Sequence, residues 1–154
     1  MSFVSARGTC IAIAASQPTT YDAAGYAALE WENIGEVSDP GEWGGEFNEV
    51  TFEDICTGVL QKDKGTFDPG SADVTLAVDL DDTGQNIAIE YYDGDKERVS
   101  APIRITDPRG QVFYCTARVM SYTYSASSPN DPYTASVSLG YDRRFVRVLP
   151  GSGT

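Results

Sequence analysis

Along the chain, hydrophobic positions recur mostly at intervals of two, the spacing that places alternate side chains on one face of a strand. The segment 73–79 (DVTLAVD) is the clearest case: Val74, Leu76 and Val78 face one way, and Asp73, Thr75, Ala77 and Asp79 the other. The segment 9–15 (TCIAIAA) alternates around Ile11 and Ile13, with small residues opposite. WENIGEV carries Trp31, Ile34 and Val37 as a short strand despite Gly35, and EFNEVTFEDI alternates through Phe47, Val50 or Thr51, and Phe52. In the second half SAPIRITD, QVFYCTARVMSYTYS and YTASVSLGYDRRFVRVLP read as strands, the last through Val137 and Leu139. Between SAPIRITD and QVFYC, Asp107-Pro108-Arg109-Gly110 has the Pro and Gly placement of a type I turn. SSPNDP joins the two long strands and leaves Tyr122, Tyr124 and Tyr133 near its turn. Pro and Gly break SQPTTYDAAGYAALEW, SDPGEWGGEF and CTGVLQKDKGTFDPGSA, so these read as loops, and 39–66 is taken as one long loop region.

One segment departs from the two-residue period. After DVTLAVD, Asp82 is placed to cap a helix over 83–93, with Gln85 at the N3 position of a capping box. The helix would turn Ile87, Ala88, Tyr91 and Tyr92 toward a core and stop near Gly94. It is the only helix the pattern predicts. The fold class is therefore mainly β: a β-sandwich or barrel-like subunit with one short flanking helix and long loops, in a single domain over 1–154.

The same stretch, DLDDTGQNIAIE, matches two templates for chemistry. It fits the calcium-loop pattern through Asp79, Asp81, Thr83 and Glu90, except that Thr83 stands where Asp or Asn belongs. A calcium loop of that type needs a helix before it, and here a strand precedes it. Asp82-Thr83-Gly84 matches the tripeptide around the catalytic carboxylate of aspartic proteases, but Leu80-Asp81 before it is half polar and the helix cap engages the same carboxylate. The plainer reading is a strand-to-helix junction with acids at the positive end of the helix. The expectation is no metal, no cofactor and no enzyme activity.

Composition narrows the picture. The 154 residues suffice for one domain with a proper core, and 41% hydrophobic residues mark it as globular. No histidine is present, which removes the usual general base of Ser and Cys hydrolases and the commonest zinc ligand. Cys10, Cys56 and Cys115 are odd in number and far apart, and read as buried small hydrophobes in a reducing compartment. The opening MSFVSARGTC lacks a basic stretch followed by an apolar one, which argues against a secretory signal, and no apolar run approaches the ~20 residues of a membrane span. The net charge of −12 is lopsided: between Asp22 and Glu97, 20 acidic residues against Lys62, Lys64 and Lys96 leave −17, and the remainder carries eight arginines against three acids. Such a surface does not bind DNA tightly, because the phosphate term is repulsive. Its two signs suit subunits that meet head to tail, or plain solubility.

The ordered set of motifs resembles the major tail tube proteins of long-tailed, non-contractile, lambda-type phages. The resemblance runs from Gly8-Thr9 through Ile34-Gly35-Glu36-Val37, Pro40-Gly41-Glu42, Lys62-Asp63-Lys64-Gly65 and Asp68-x-Gly70-Ser71. DVTLAVD and the helix opening at Gly84-Gln85 follow, then Ile103-Arg104-Ile105, Pro108-x-Gly110 and Val119-Met120-Ser121, so that it spans about Gly8 to Val148. One departure is that no immunoglobulin-like domain follows, as it does in some relatives; this removes a surface-decoration role and leaves the tube role. The resemblance implies a virion structural protein assembled in the host cytoplasm. Hexameric rings of it would stack into a hollow conduit for genome ejection, with a continuous inner β-barrel as its wall. An acidic lumen would keep passing DNA from sticking. The implied partners are further copies of the chain, a tape-measure protein, a tail-tip initiator and a tail terminator. On this reading 39–66 is the stacking arm, with Trp43 and Phe47 as apolar anchors unless Trp43 covers its own sheet. Lys62 and Lys64 would meet carboxylates of the next ring, and Arg143 and Arg144 form a subunit contact. Residues 1–7 and 149–154 would be arms that order on assembly. The alternatives are a tube protein of a type VI secretion-like system, and a calcium-binding β-domain using Asp79 to Glu90.

Overall fold

A computed structural model describes residues 3–150. Ten strands and two helices follow in the order β1 (Cys10–Ala14), α1 (Ala23–Ala27), β2 (Trp31–Asn33), β3 (Val37–Asp39), β4 (Glu46–Glu53), β5 (Leu60–Asp68) and β6 (Ser71–Ala77). Then come α2 (Thr83–Asp93), β7 (Ala101–Thr106), β8 (Val112–Ser125), β9 (Thr134–Tyr141) and β10 (Val146–Val148). The chain is mainly β and sandwich-like.

The main sheet is antiparallel throughout and runs β2-β1-β7-β8-β9-β6-β3, with β10 paired to the start of β8. The strands at its two ends, β2 and β3, are joined by Ile34-Gly35-Glu36 alone. Laid flat, seven strands would hold their ends about 29 Å apart, whereas the four steps from Asn33 to Val37 reach about 14 Å. The sheet therefore rolls until its ends meet. The reversal includes Glu36 in the left-handed region, with φ of 59°. The carbonyl of Glu36 accepts from the Ala77 amide at 2.9 Å, fixing the link onto the end of β6.

Helix α2 clasps this seam. Asp82 caps it by accepting from the Gln85 amide at 2.9 Å, and the same carboxylate accepts from the Gly35 amide at 3.0 Å. Gln85, 2% exposed, does not reach back to its cap as a capping box would. Its amide nitrogen donates to the carbonyls of Gly35 (3.0 Å) and Ala77 (2.9 Å), and its oxygen accepts from the Asp79 amide (3.0 Å). Gly84 lets the helix touch the seam: a Cβ there would stand 2.3 Å from the carbonyl oxygen of Asn33. Ala88 and Tyr91 enter the core, where the Tyr91 hydroxyl donates to the Ala14 carbonyl at 3.0 Å. Tyr92, expected inside, is exposed and lies against Tyr122. The helix ends at Gly94 in extended backbone, so the left-handed C-terminal glycine expected there is not formed. Gly94 serves instead through close approach, since a Cβ would stand 3.0 Å from Glu90.

The core is lined by Ile11 and Ile13 of β1, Val74 and Leu76 of β6, Ile103 and Ile105 of β7, and Val137 and Leu139 of β9. A second, smaller cluster covers the opposite face of β8 and β10. There Tyr26 of α1 stacks on Tyr114 at 5.2 Å, and Trp31 leans on the same ring. Thus a second helix occupies the stretch read from sequence as a loop. At five residues it is far too short to persist alone. Asp22 caps it through the Gly25 amide at 2.8 Å, and packing of Tyr26 does the rest.

Two other expectations are corrected. Of the cysteines only Cys115 is buried, and Cys10 and Cys56 are exposed. The stretch 39–66 is not a long loop: β4 and β5 pair over most of their length into a two-stranded ribbon separate from the main sheet. The arms expected at 1–7 and 149–154 lie partly outside the described residues, which exclude 1–2 and 151–154.

Candidate assembly site

The calcium-template residues are used locally. Asp79 accepts from the Asp81 amide at 3.0 Å, and Glu90 meets Lys96 at 3.5 Å. Among the described residues no group of three or more Cys, Asp or Glu could hold a metal ion. No helix of the described residues is long and apolar enough to cross a membrane.

The surface that stands out is the β4–β5 ribbon. Its register pairs Val50 with Asp63 and Phe52 with Gln61 on one face, and Glu49 with Lys64 and Thr51 with Lys62 on the other. The charged face is satisfied within the ribbon. Lys62 meets Glu49 at 3.7 Å, an exposed pair worth little by itself, and Lys64 lies 4.8 Å over the Phe47 ring. The other face shows its apolar groups to solvent. Phe52 is 68% exposed with Val50 exposed beside it, and Ile55 in the turn is 100% exposed with Val59 near it, while Leu60, paired with Glu53, is exposed on the charged face. The turn is held by Asp54, whose carbonyl accepts from Gly58 at 2.8 Å and whose carboxylate accepts from Cys56 at 2.9 Å.

The sequence-selected residues divide between the ribbon and the body. Phe47 packs edge-on against Phe67 at 5.1 Å, and the Arg144 guanidinium lies 5.3 and 4.9 Å from the two rings. So Phe47, Lys64 and Arg144 converge at the root of the ribbon, where cation–π contact ties it to the β9–β10 connection. Trp43 is half-buried and packs on Phe113 at 5.9 Å, covering its own sheet. Arg143 lies 3.5 Å over Tyr21, away from the ribbon cluster, and its carbonyl accepts from the Cys115 thiol. Burial pushes that thiol up to about 11, which makes it inert. Sequence reasoning missed Phe67, Tyr21 and the apolar turn at Ile55. The signal available was Asp54-x-x-x-Gly58, a turn between two stretches rich in strand formers.

Among the described residues four strands of the main sheet have an edge without a strand partner: β2, β10, β3 and the far end of β8. Among the described residues β3 pairs only with β6. Beyond Ala117, where β7 ends its pairing, β8 continues to Ser125 with β9 on one side and no strand of the described residues on the other. The strands β8-β9-β6-β3 thus form a four-stranded segment with both edges open.

No protein-family model matches the chain, and no curated protein matches it either. Solved structures do. A chain from the tail of an empty GTA particle, refined with helical C6 symmetry, superposes with a TM-score of 0.64 at 13% identity, covering 96% of this chain and 100% of that one. The sheath/tube terminator of an extracellular contractile injection system, PVC, gives 0.62 at 14% identity over 97% and 99%. A chain of the PVC sheath–tube complex gives 0.56 at 16% identity over 96% and 92%. The chain shares their fold. The likeness reaches contractile systems as well as the GTA tail, so it carries a shared fold without any restriction to non-contractile systems.

Proposed function

We propose that the chain is the structural subunit of a tail tube: copies close into rings of six, and rings stack into a hollow conduit. The observation that carries this is the β4–β5 ribbon. A two-stranded ribbon is marginal in water by itself, and this one holds an unsatisfied apolar face and a bare Ile55 out from the body. Burial in a neighbouring copy covers both. Stacking through a projecting element is heterologous, with one surface of a copy meeting a different surface of the next, and so propagates along an axis. The open edges of β3 and distal β8 support ring closure, since an edge of one copy can extend the sheet of the next.

In this role the chain is a virion component assembled in the host cytoplasm, with no catalytic activity. Its partners are its own copies, a tape-measure protein, a tail-tip initiator and a tail terminator, and DNA crosses the tube on ejection without specific binding. A net charge of −12 keeps the polyanion off the wall. The fold likeness to PVC chains favours a second reading, a tube of a contractile or type VI-like system, which differs in cargo and sheath and leaves the assembly chemistry unchanged. Negative-stain microscopy of the concentrated protein tests the proposal: it predicts six-fold rings or tubes, and a uniform field of single subunits contradicts it.

A further inference from the structure

The ribbon hangs from the body by two short links. Among the described residues β4 and β5 pair only with one another, and the chain enters them through Gly44-Gly45 and leaves through Pro69-Gly70. On the body side both links are anchored: Trp43 packs on Phe113, and the Gly70 carbonyl accepts from the Tyr141 amide at 3.0 Å. On the ribbon side of those anchors, Gly44 and Gly70 take positive φ of 126° and 87°. A Cβ at either would meet nothing within 4 Å, so no packing holds these positions. Glycine alone turns freely through that backbone region. Among the described residues the hydrogen bonds, ion pair and ring contacts of β4 and β5 side chains stay within the ribbon and its links, with one exception. Arg144 of the body lies over the cross-strand pair Phe47 and Phe67, 5.3 and 4.9 Å from the two ring centroids. Gly45 admits this arrangement, because a Cβ there would stand 2.5 Å from the Phe67 ring. The ion pairs of the described residues join Lys62 to Glu49 and Lys96 to Glu90, and leave the exposed Arg144 to the rings.

We propose that the ribbon is a hinged arm, and that Arg144 is the positioning residue that latches it at one angle in the free chain. The latch goes beyond the tube reading. It also gives Arg144 a role inside one subunit, where the resemblance implied a contact between subunits. The two rings meet edge-on at 5.1 Å, so a cation resting on both fixes the ribbon in two directions, where one ring would leave a swivel. A planar guanidinium suits such a site better than the point charge of lysine. The contact is exposed and modest in strength, so the arm can still open. Without it, rotation at Gly44 and Gly70 spreads the tip and its bare Ile55 over many positions. Holding one angle removes that spread before a neighbour arrives, which lowers the ordering cost of any contact the tip makes.

The chain carries its own labelling sites for a test. Cys56 in the ribbon turn and Cys10 on the body are exposed, while Cys115 is buried. Spin labels on Cys10 and Cys56 report the distance from tip to body by pulsed electron spin resonance. Labelled chain is diluted in unlabelled chain, so that distances within one copy are read. The parent is expected to show one narrow peak, Arg144→Gln a broad distribution, and Arg144→Lys a peak partly restored. Phe67→Leu removes a ring from the other side of the contact and is expected to broaden the distribution as Arg144→Gln does, with no further broadening when the two are combined. Urea midpoints show which variants keep their fold, and each side of the contact has its own variant should one unfold. A parent distribution that is already broad overturns the latch, as does a peak as narrow as the parent's in the folded variants. Arg144→Lys no narrower than Arg144→Gln takes the cation out of the account and overturns it too. Loss of the fold in both Arg144→Gln and Phe67→Leu makes the contact part of the core and has the same effect. The distances are read within single chains, so they decide the latch whether or not the protein forms tubes.

Discussion

Gln85 and Asp82 hold the molecule together through few atoms. Gln85 satisfies three backbone groups from β6, the β2–β3 link and the approach to α2, and Asp82 satisfies two more. Gln85→Leu keeps the volume and strands those groups, which costs about 3 kcal/mol. Asp82→Asn keeps an accepting oxygen and costs less than Asp82→Ala, which loses cap and clasp together at about 2 kcal/mol. Urea midpoints check both, with slopes unchanged if the native state is intact. Both residues were legible in the sequence as a helix start, but not as a clasp. The partner carbonyl of Gly35 lies 50 residues away, and nothing local signals it. A titration belongs at this scale as well. Burial pushes the hydroxyls of Tyr26, Tyr122 and Tyr141 up, that of Tyr122 to about 12. Above the ordinary value of 10.0 the unfolded chain releases these protons while the native chain keeps them, so stability falls as pH rises through that window. Urea midpoints at rising pH, beside tyrosinate absorbance, are expected to show the decline beginning near the ordinary value and continuing through the raised one.

Elements were legible where large hydrophobic residues recur at every second position. Ile11 and Ile13, Val74 and Leu76, and Val137 and Leu139 all point inward from strands read correctly in the sequence. Strand β5 was not legible, because both its faces meet solvent and its sequence, LQKDKGTFD, shows no period. Helix α1 was hidden for a different reason: Tyr26 stacking on Tyr114 stabilises it, a contact between residues far apart in the chain. The ribbon is where element and function meet. Replacing Phe52 and Ile55 together by Ser removes the apolar face without touching the body. Stability of the free chain should shift by no more than about 0.5 kcal/mol, while sedimentation shows assembly lost. Unfolding by that double change would instead mean that the ribbon packs on its own subunit. Trp43 is the contrasting case: its contact with Phe113 serves its own sheet, although in sequence it looked like an anchor equal to Phe47.

The whole molecule is a rolled sheet closed by a helix clasp, with a charged and apolar ribbon projecting from it and four strands left open at both edges. The roll follows from topology, since a three-residue link cannot join the ends of a flat seven-stranded sheet. The order of motifs foreshadowed this architecture, whereas the surfaces that complete it lie between copies and leave little trace in one chain's hydrophobic period. The lopsided charge has meaning only at this scale: the acidic ribbon of one copy can approach the arginine-bearing parts of another. The most direct test is electron microscopy of the purified protein at rising concentration, with the Phe52→Ser, Ile55→Ser double variant beside it. The account predicts six-fold rings or hollow tubes for the parent and single subunits for the variant. Folded parent protein that stays as single subunits at every concentration, with or without a tail-tip initiator, would contradict it.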